Sequence, residues 1–198
     1  LGIISPAYSQ ITSDNTTNTN IKLDGNNFNI HNGIQKGNNL FHSFKEFSIP
    51  TGASATFKNS TNVVNIINRV TGGNISNIDG LIKASGNANL FLINPSGIIF
   101  GENASLDIGG SFLATTAESI LFEDGFNYSA IVSEQEPLLT ISVPVGLQMG
   151  RNPGAIEVNG SGHNLISEDT NLAPYLNPSS LIPLQLRPGL QVREGKSL

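Results

Sequence analysis

The chain is most constrained between Asn87 and Phe112, where the sequence runs NANLFLINPSGIIFGENASLDIGGSF. Two short apolar runs, Leu90-Phe91-Leu92-Ile93 and Ile98-Ile99-Phe100, are separated by only Asn94-Pro95-Ser96-Gly97. That tetrapeptide predicts a type I turn: Asn bonds its own backbone two residues on, Pro fixes φ near −65°, and Gly suits the last position, where the chain leaves the turn. The flanks are continuous apolar runs, which suits strands buried on both faces or strands bending across a core. Another corner at Gly101-Glu102-Asn103 leads into Ser105-Leu106-Asp107-Ile108, which ends at Gly109-Gly110. Strand, tight corner, strand is the rhythm of a chain coiling around itself.

The same rhythm extends both ways. Ile21-Lys22-Leu23 and Phe28-Asn29-Ile30 flank Asp24-Gly25-Asn26-Asn27, a hairpin signal. In the run from Leu40 to Ile49, Leu40, His42 and Phe44 share one strand face, and Phe41 and Ser43 the other. Ala53, Ala55 and Phe57 alternate with polar residues, and β-branched content makes Val63–Val70 a strand. Ile120-Leu121-Phe122, 138–147 and 155–158 continue at similar spacing, and GENASLDIG at 101–109 resembles GAIEVNGSG at 154–162. Returns every ~20 to 25 residues suggest a solenoid. Its rungs are expected ~4.8 Å apart, with Leu90, Leu92, Ile98, Phe100, Leu106 and Ile108 in the core. Residues 10–20 read as extended and poorly packed, and 163–183 as a loop excursion, with strands resuming at 184–186 and 190–192.

Charged residues make up only 13% of the chain, replaced by Asn, Ser, Thr and Gly. A net charge of −5, with scattered Lys and Arg, argues against nucleic acid or an anionic membrane as a partner. The absence of cysteine removes disulfides, thiolate metal sites and a cysteine nucleophile together. No apolar stretch approaches the ~20 residues that span a bilayer as a helix. Residues 1–9, LGIISPAYS, read as the tail of a secretory signal peptide, with small residues at Ala7 and Ser9 for cleavage.

The residues that could carry chemistry are scattered. Asp79, Asp107 and Asp124 are dispersed beside Gly corners, where Asp serves turns, and GGNISNIDG at 72–80 occurs once rather than as a Ca²⁺-binding repeat. His31, His42 and His163 lie far apart, and no Gly-x-Ser-x-Gly elbow accompanies His42, Ser43 and Glu46. The reading is non-enzymatic, with no cofactor and no metal. Asn at corners can stack into side-chain ladders.

Several stretches resemble the N-terminal secretion domain of the filamentous haemagglutinin family, the exported partner of two-partner secretion systems, in the style common in cyanobacteria. They are NNLFHSFKEFSI at 38–49, NIINRVTGGNISNIDG at 65–80, NANLFLINPSGIIFGENASLDIGGSFLATTA at 87–117, LLTISVPVGLQMGRNPGAIEVNGSGHNL at 138–165 and RPGLQVREGKSL at 187–198. The resemblance implies an all-β fold, a right-handed parallel β-helix with an N-terminal cap and small extra-helical strands over residues 10–198, in a chain that continues beyond 198. It implies a secretion-targeting domain of a surface adhesin or exoprotein, exported through periplasm and outer membrane to the surface or medium. The partner would be an outer-membrane transporter with periplasmic POTRA domains, and the domain would nucleate β-helix folding of its passenger. A host or neighbour-cell glycan or protein would be met through that passenger, and the domain itself is expected to be a monomer outside the membrane. The alternative is a glycan- or cell-binding adhesion module. Asn94, Pro95, Ser96, Gly97 and Ile98 match the family's Asn-Pro-Asn-Gly-Ile signature except at Ser96, and would form the transporter-recognition turn. The family's second motif, Asn-Pro-Asn-Leu, has no literal match.

Overall fold

A computed structural model of the chain describes residues 10–131 and 139–159. The leader reading at 1–9, His163, the excursion at 163–183 and the strands at 184–186 and 190–192 lie outside the described residues. The N-terminal strands are β1 (Ile11–Ser13), β2 (Thr19–Asp24), β3 (Asn27–Asn32) and β4 (Ile34–Lys36). In the first coil, β5 (Asn39–Phe47) turns through Ile49 into β6 (Ser54–Phe57). The second holds β7 (Asn65–Val70), β8 (Ser76–Ile78) and β9 (Leu81–Ala84), and the third β10 (Asn89–Ile93), β11 (Ile98–Phe100) and β12 (Ser105–Asp107). A fourth begins at β13 (Phe112–Thr115), is interrupted by β14 (Ser119–Phe122), β15 (Asn127–Ser129) and β16 (Pro144–Gln148), and resumes at β17 (Ile156–Val158). Successive coils pair in parallel: β5-β7-β10-β13 form one face, β3-β6-β9-β12 a second and β8-β11-β17 a third. The architecture is a parallel β-solenoid of about three turns, the fold that the corner spacing predicts.

The register explains why Leu90 to Ile93 is apolar throughout. Leu40, Ile66, Leu90 and Phe112 stack as a row facing the lumen, while Phe41, Ile67, Phe91 and Leu113 stack on the outer face. The inner row joins Phe28, Ala55, Ile82 and Leu106 from the second face in the main core. Phe41, Ile67 and, partly buried, Phe91 of the outer row are covered by the antiparallel sheet β15-β14-β16 through Ile120, Phe122 and Tyr128. A strand dry on both sides has no polar face to show. Leu90, Leu92, Ile98, Phe100 and Leu106 are buried and Ile108 packs partly buried against them, as expected. Each fully buried side chain contributes roughly 1.5–3 kcal/mol.

Three sequence expectations change. Residues 10–20 are well packed: β1 runs antiparallel to β5, Ile11 is buried, and buried Thr17 accepts the Ser43 N–H at 3.0 Å. This segment covers the first coil, and its polar groups find partners far along the chain, which no local pattern reveals. Neither the run at 120–122 nor the described part of 138–147 continues the coil. Ile120 pairs antiparallel with both Tyr128 and Leu147 in a sheet outside it. Ile120 and Phe122 serve the outer face of the first sheet, so they read like rungs, whereas Ile141, Val143, Val145 and Leu147 are exposed. Finally, the likeness of 101–109 to 154–162 is not structural, because β12 lies on the second face and β17 on the third.

Asparagine does stack. Asn65 Nδ2 donates to Asn39 Oδ1 at 2.9 Å, and Asn89 Nδ2 donates to Asn65 Oδ1 at 3.0 Å. The Ser111 N–H donates to Asn89 Oδ1 at 2.9 Å, and Asn39 Nδ2 donates to the Ser142 carbonyl at 2.7 Å. All the amides point one way, so the ladder fixes the register of three coils and ties them to the segment entering β16. Asn65→Leu leaves a donor and an acceptor unpaired and is expected to cost about 1–3 kcal/mol in urea unfolding. Asn20→Leu on the exposed face of β2 should stay within about 0.5 kcal/mol.

Candidate functional site

The turn at Asn94 closes β10 and opens β11. Its backbone makes the expected i→i+3 bond, with the Gly97 N–H donating to the Asn94 carbonyl at 3.1 Å. Gly97 sits at φ +128°, where a side chain would be strained. Asn94 is fully buried. Its Oδ1 accepts the Ser96 N–H at 3.0 Å, as the sequence predicts for a turn-opening Asn. Its Nδ2 donates to the Asn74 carbonyl and to Ser76 Oγ, both at 2.9 Å, in the preceding coil. One side chain therefore seals its own turn and fastens it to the coil before. Pro95 and Ser96 are partly exposed, whereas Gly97 and Ile98 are buried.

The following coil seals the other side. Gly154 donates its N–H to the Pro95 carbonyl at 2.8 Å, and Ile98 donates its N–H to the Ala155 carbonyl at 3.0 Å. Ile98 is in register with Ile156. Carried back through the corner, that register gives Asn152 and Pro153 the positions of Asn94 and Pro95. The pattern Asn-Pro-x-x-Ile therefore occurs twice, at 94–98 and 152–156, and marks the same corner of the solenoid. Sequence reasoning misses this second copy because the chain leaves the coil between the two. It differs in exposure: Asn152 and Pro153 face solvent.

The other candidates resolve into structure. His42 is buried against Phe44 and Phe57, with Nδ1 2.9 Å from Thr19 Oγ1, and burial pulls its pKa down from 6.5 to about 3. Asp79 accepts from Thr51 Oγ1 below and from the Asn103 N–H above at 2.8 Å, a corner brace between coils. Among the described residues, no three His, Asp or Glu side chains converge as metal ligands. A shallow cleft of about 690 Å³ at the cap is lined by Asn, Thr and Gly, including Asn18, Asn20 and Asn32. It offers hydrogen bonds but no aromatic surface on which a sugar ring could stack. No helix among the described residues is long and apolar enough to cross a membrane.

Comparison with known proteins places these features in a family. Residues 9–197 match the TPS secretion domain, the secretion domain of two-partner systems. The chain is also 31% identical over 113 residues to the heme/hemopexin-binding protein of Haemophilus influenzae, covering 54% of this chain and 11% of that protein. The chain thus spans about a tenth of that relative's length. With the solenoid, its cap, the extra-helical sheet and the Asn-Pro corner all within the matched range, the chain belongs to the TPS secretion domain family.

Proposed function

We propose that this domain directs its parent protein to an outer-membrane transporter with periplasmic POTRA domains and nucleates the folding of a β-helical passenger. The family match over 9–197 carries the secretion role. The coil geometry supports the folding role: among the described residues β13, β12 and β17 are the last strands of their sheets, at one end of the solenoid. A strand edge there presents N–H and C=O groups in register for another coil. No catalytic step belongs to this reading. Heme or hemopexin binding, named for the relative, would reside in a passenger.

Asn94 to Ile98 is the stretch we assign to the transporter. Because Asn94 is buried between neighbouring coils, a receptor that reads its amide meets the chain before those coils close over it. The test pairs Asn94→Ala with a core truncation such as Ile82→Ala, whose typical cost of about 2–5 kcal/mol brackets the same loss of unfolding temperature. Removing Asn94 strands two acceptors and a backbone donor, so a loss of about 2–4 kcal/mol is expected in the folded domain. Secreted yield with the transporter co-expressed should fall much further for Asn94→Ala than for its matched partner. Equal losses would reduce Asn94 to a turn residue and overturn its assignment to the transporter.

A further inference from the structure

The outer face of the first sheet carries a buried arginine that the secretion reading does not use. Arg69 is 4% exposed. Its Nε donates to Ser43 Oγ at 2.7 Å, one terminal nitrogen to Thr16 Oγ1 at 2.9 Å and the other to the Ser129 carbonyl at 2.8 Å. The guanidinium carbon lies 4.6 Å from the centre of the Tyr128 ring, a cation–π arrangement. The Tyr128 hydroxyl in turn donates to the His42 carbonyl at 3.0 Å.

Two of these partners are relays. Ser43 Oγ, which accepts from Arg69, donates to Asp14. Thr16 Oγ1 also accepts from Arg69 and donates to Asp14 at 2.8 Å. The Thr71 hydroxyl adds another bond to the same carboxylate at 2.9 Å. Burial alone would raise the Asp14 pKa, but the bonds from Ser43, Thr16 and Thr71 outweigh it and hold the carboxyl below its usual range. A guanidinium and a carboxylate are thus joined through two hydroxyls. The cluster draws on four separate pieces of chain: the cap, the first coil, the second coil and the extra-helical sheet.

We propose that this cluster is a completion latch, closing last in folding and only when residues 128–129 reach the coil. Thr16 and Arg69 are 53 residues apart, and Arg69 and Ser129 are 60 apart, whereas the rung bond from Asn89 to Asn65 spans only 24. Longer closures cost more chain entropy and form later. A partly built latch gains little, because a desolvated guanidinium short of an acceptor is an uncompensated buried charge. Until β15 arrives, Arg69 stays hydrated and Phe41 and Ile67 lack the cover they have in the finished domain. The early coils therefore form loosely and tighten in one step, which keeps an incompletely delivered domain from locking. The latch stands or falls independently of what the transporter reads, since its test is folding of the isolated chain.

The test is stopped-flow folding and unfolding of the full 198-residue chain in urea for Arg69→Met, Tyr128→Phe and, as a rung control, Ile82→Val. Arg69→Met should speed unfolding by about tenfold or more while leaving the folding rate within about twofold, the signature of contacts absent from the transition state. Tyr128→Phe, which keeps the ring but loses the bond to the His42 carbonyl, should show the same pattern more weakly. It decides the matter should Arg69→Met fail to fold. Ile82→Val should divide its effect between both rates. Slower folding in proportion to lost stability for the latch variants, or unfolding no faster than wild type, overturns the proposal.

Discussion

Lowering the pH from 7 to 4 should weaken this domain by several kcal/mol, and His42→Phe should remove most of that loss. His42 is buried between Phe44 and Phe57, and desolvation lowers its pKa from 6.5 to about 3. Between those values the unfolded chain binds a proton on His42 that the folded chain refuses. Unfolding then takes up a proton, and stability falls as pH falls. At roughly 1.4 kcal/mol per pKa unit, the stretch from 6.5 down to pH 4 is worth about 3–3.5 kcal/mol, and the full window down to about 3 about 4–5 kcal/mol. That is comparable to the whole margin of a modest domain, ~5–15 kcal/mol. Asp14 acts in the same direction at more acid pH: its lowered carboxyl contributes stability above 3.8 that is lost as pH falls through its folded value. The measurement is the urea midpoint at steps from pH 7 to pH 4. The wild type should slope downward below 6.5, whereas His42→Phe, which fills the same aromatic stack, should stay nearly flat to pH 4. A parallel slope in the variant would place the titrating group elsewhere.

How much of this structure is legible in the sequence depends on the range of the interactions involved. The lumen rows are readable because each rung repeats an apolar strand between Gly corners, which places Leu90 and Leu92 in a core even though the run 90–93 shows no alternation. The turn at 94–97 is readable for the same reason, since Oδ1 of Asn94 bonds two residues on. The other half of that side chain is not. Its Nδ2 reaches Asn74 and Ser76, and nothing near residue 94 indicates which coil lies beneath it. The cap shows the limit most plainly. Asp14, Thr16, Thr17 and Thr19 look like solvated chain, yet they meet Ser43, Arg69 and His42. Pairings across tens of residues leave no local period. The extra-helical sheet misleads for a different reason: Ile120 and Phe122 are buried like rung residues, but against the outside of the coil.

The second large effect is expected at Gly154, where the chain returns to the solenoid. A Cβ there would overlap the carbonyl of Ser96 and come within 2.5 Å of the Gly97 nitrogen. Both are backbone atoms of the Asn94 turn, which is itself fastened to Asn74 and Ser76, so neither can swing aside. Relief requires that the returning segment lift off. The β11–β17 ladder leaves with it, and so do three bonds beside that ladder: Gly154 N–H to Pro95, Ile98 N–H to Ala155, and Asn159 N–H to Phe100, the last at 2.9 Å. Gly154→Ala is therefore expected to cost about 2–4 kcal/mol, confined at first to β17. Hydrogen exchange reads this directly. The amides of Ile98 and Asn159 should exchange about 30-fold faster or more. Leu90 and Asn94, whose N–H groups pair with Ser111 and Thr115 near β13, should keep their protection. So should Ala130, bonded to Glu118 within the extra-helical sheet. That pattern would establish the first Asn-Pro turn as the seat on which the second copy lands, setting the register after a long detour outside the coil. Uniform loss of protection would instead mean that β17 and the earlier coils form one cooperative unit, and undisturbed protection at Ile98 would mean that the return does not depend on this seat.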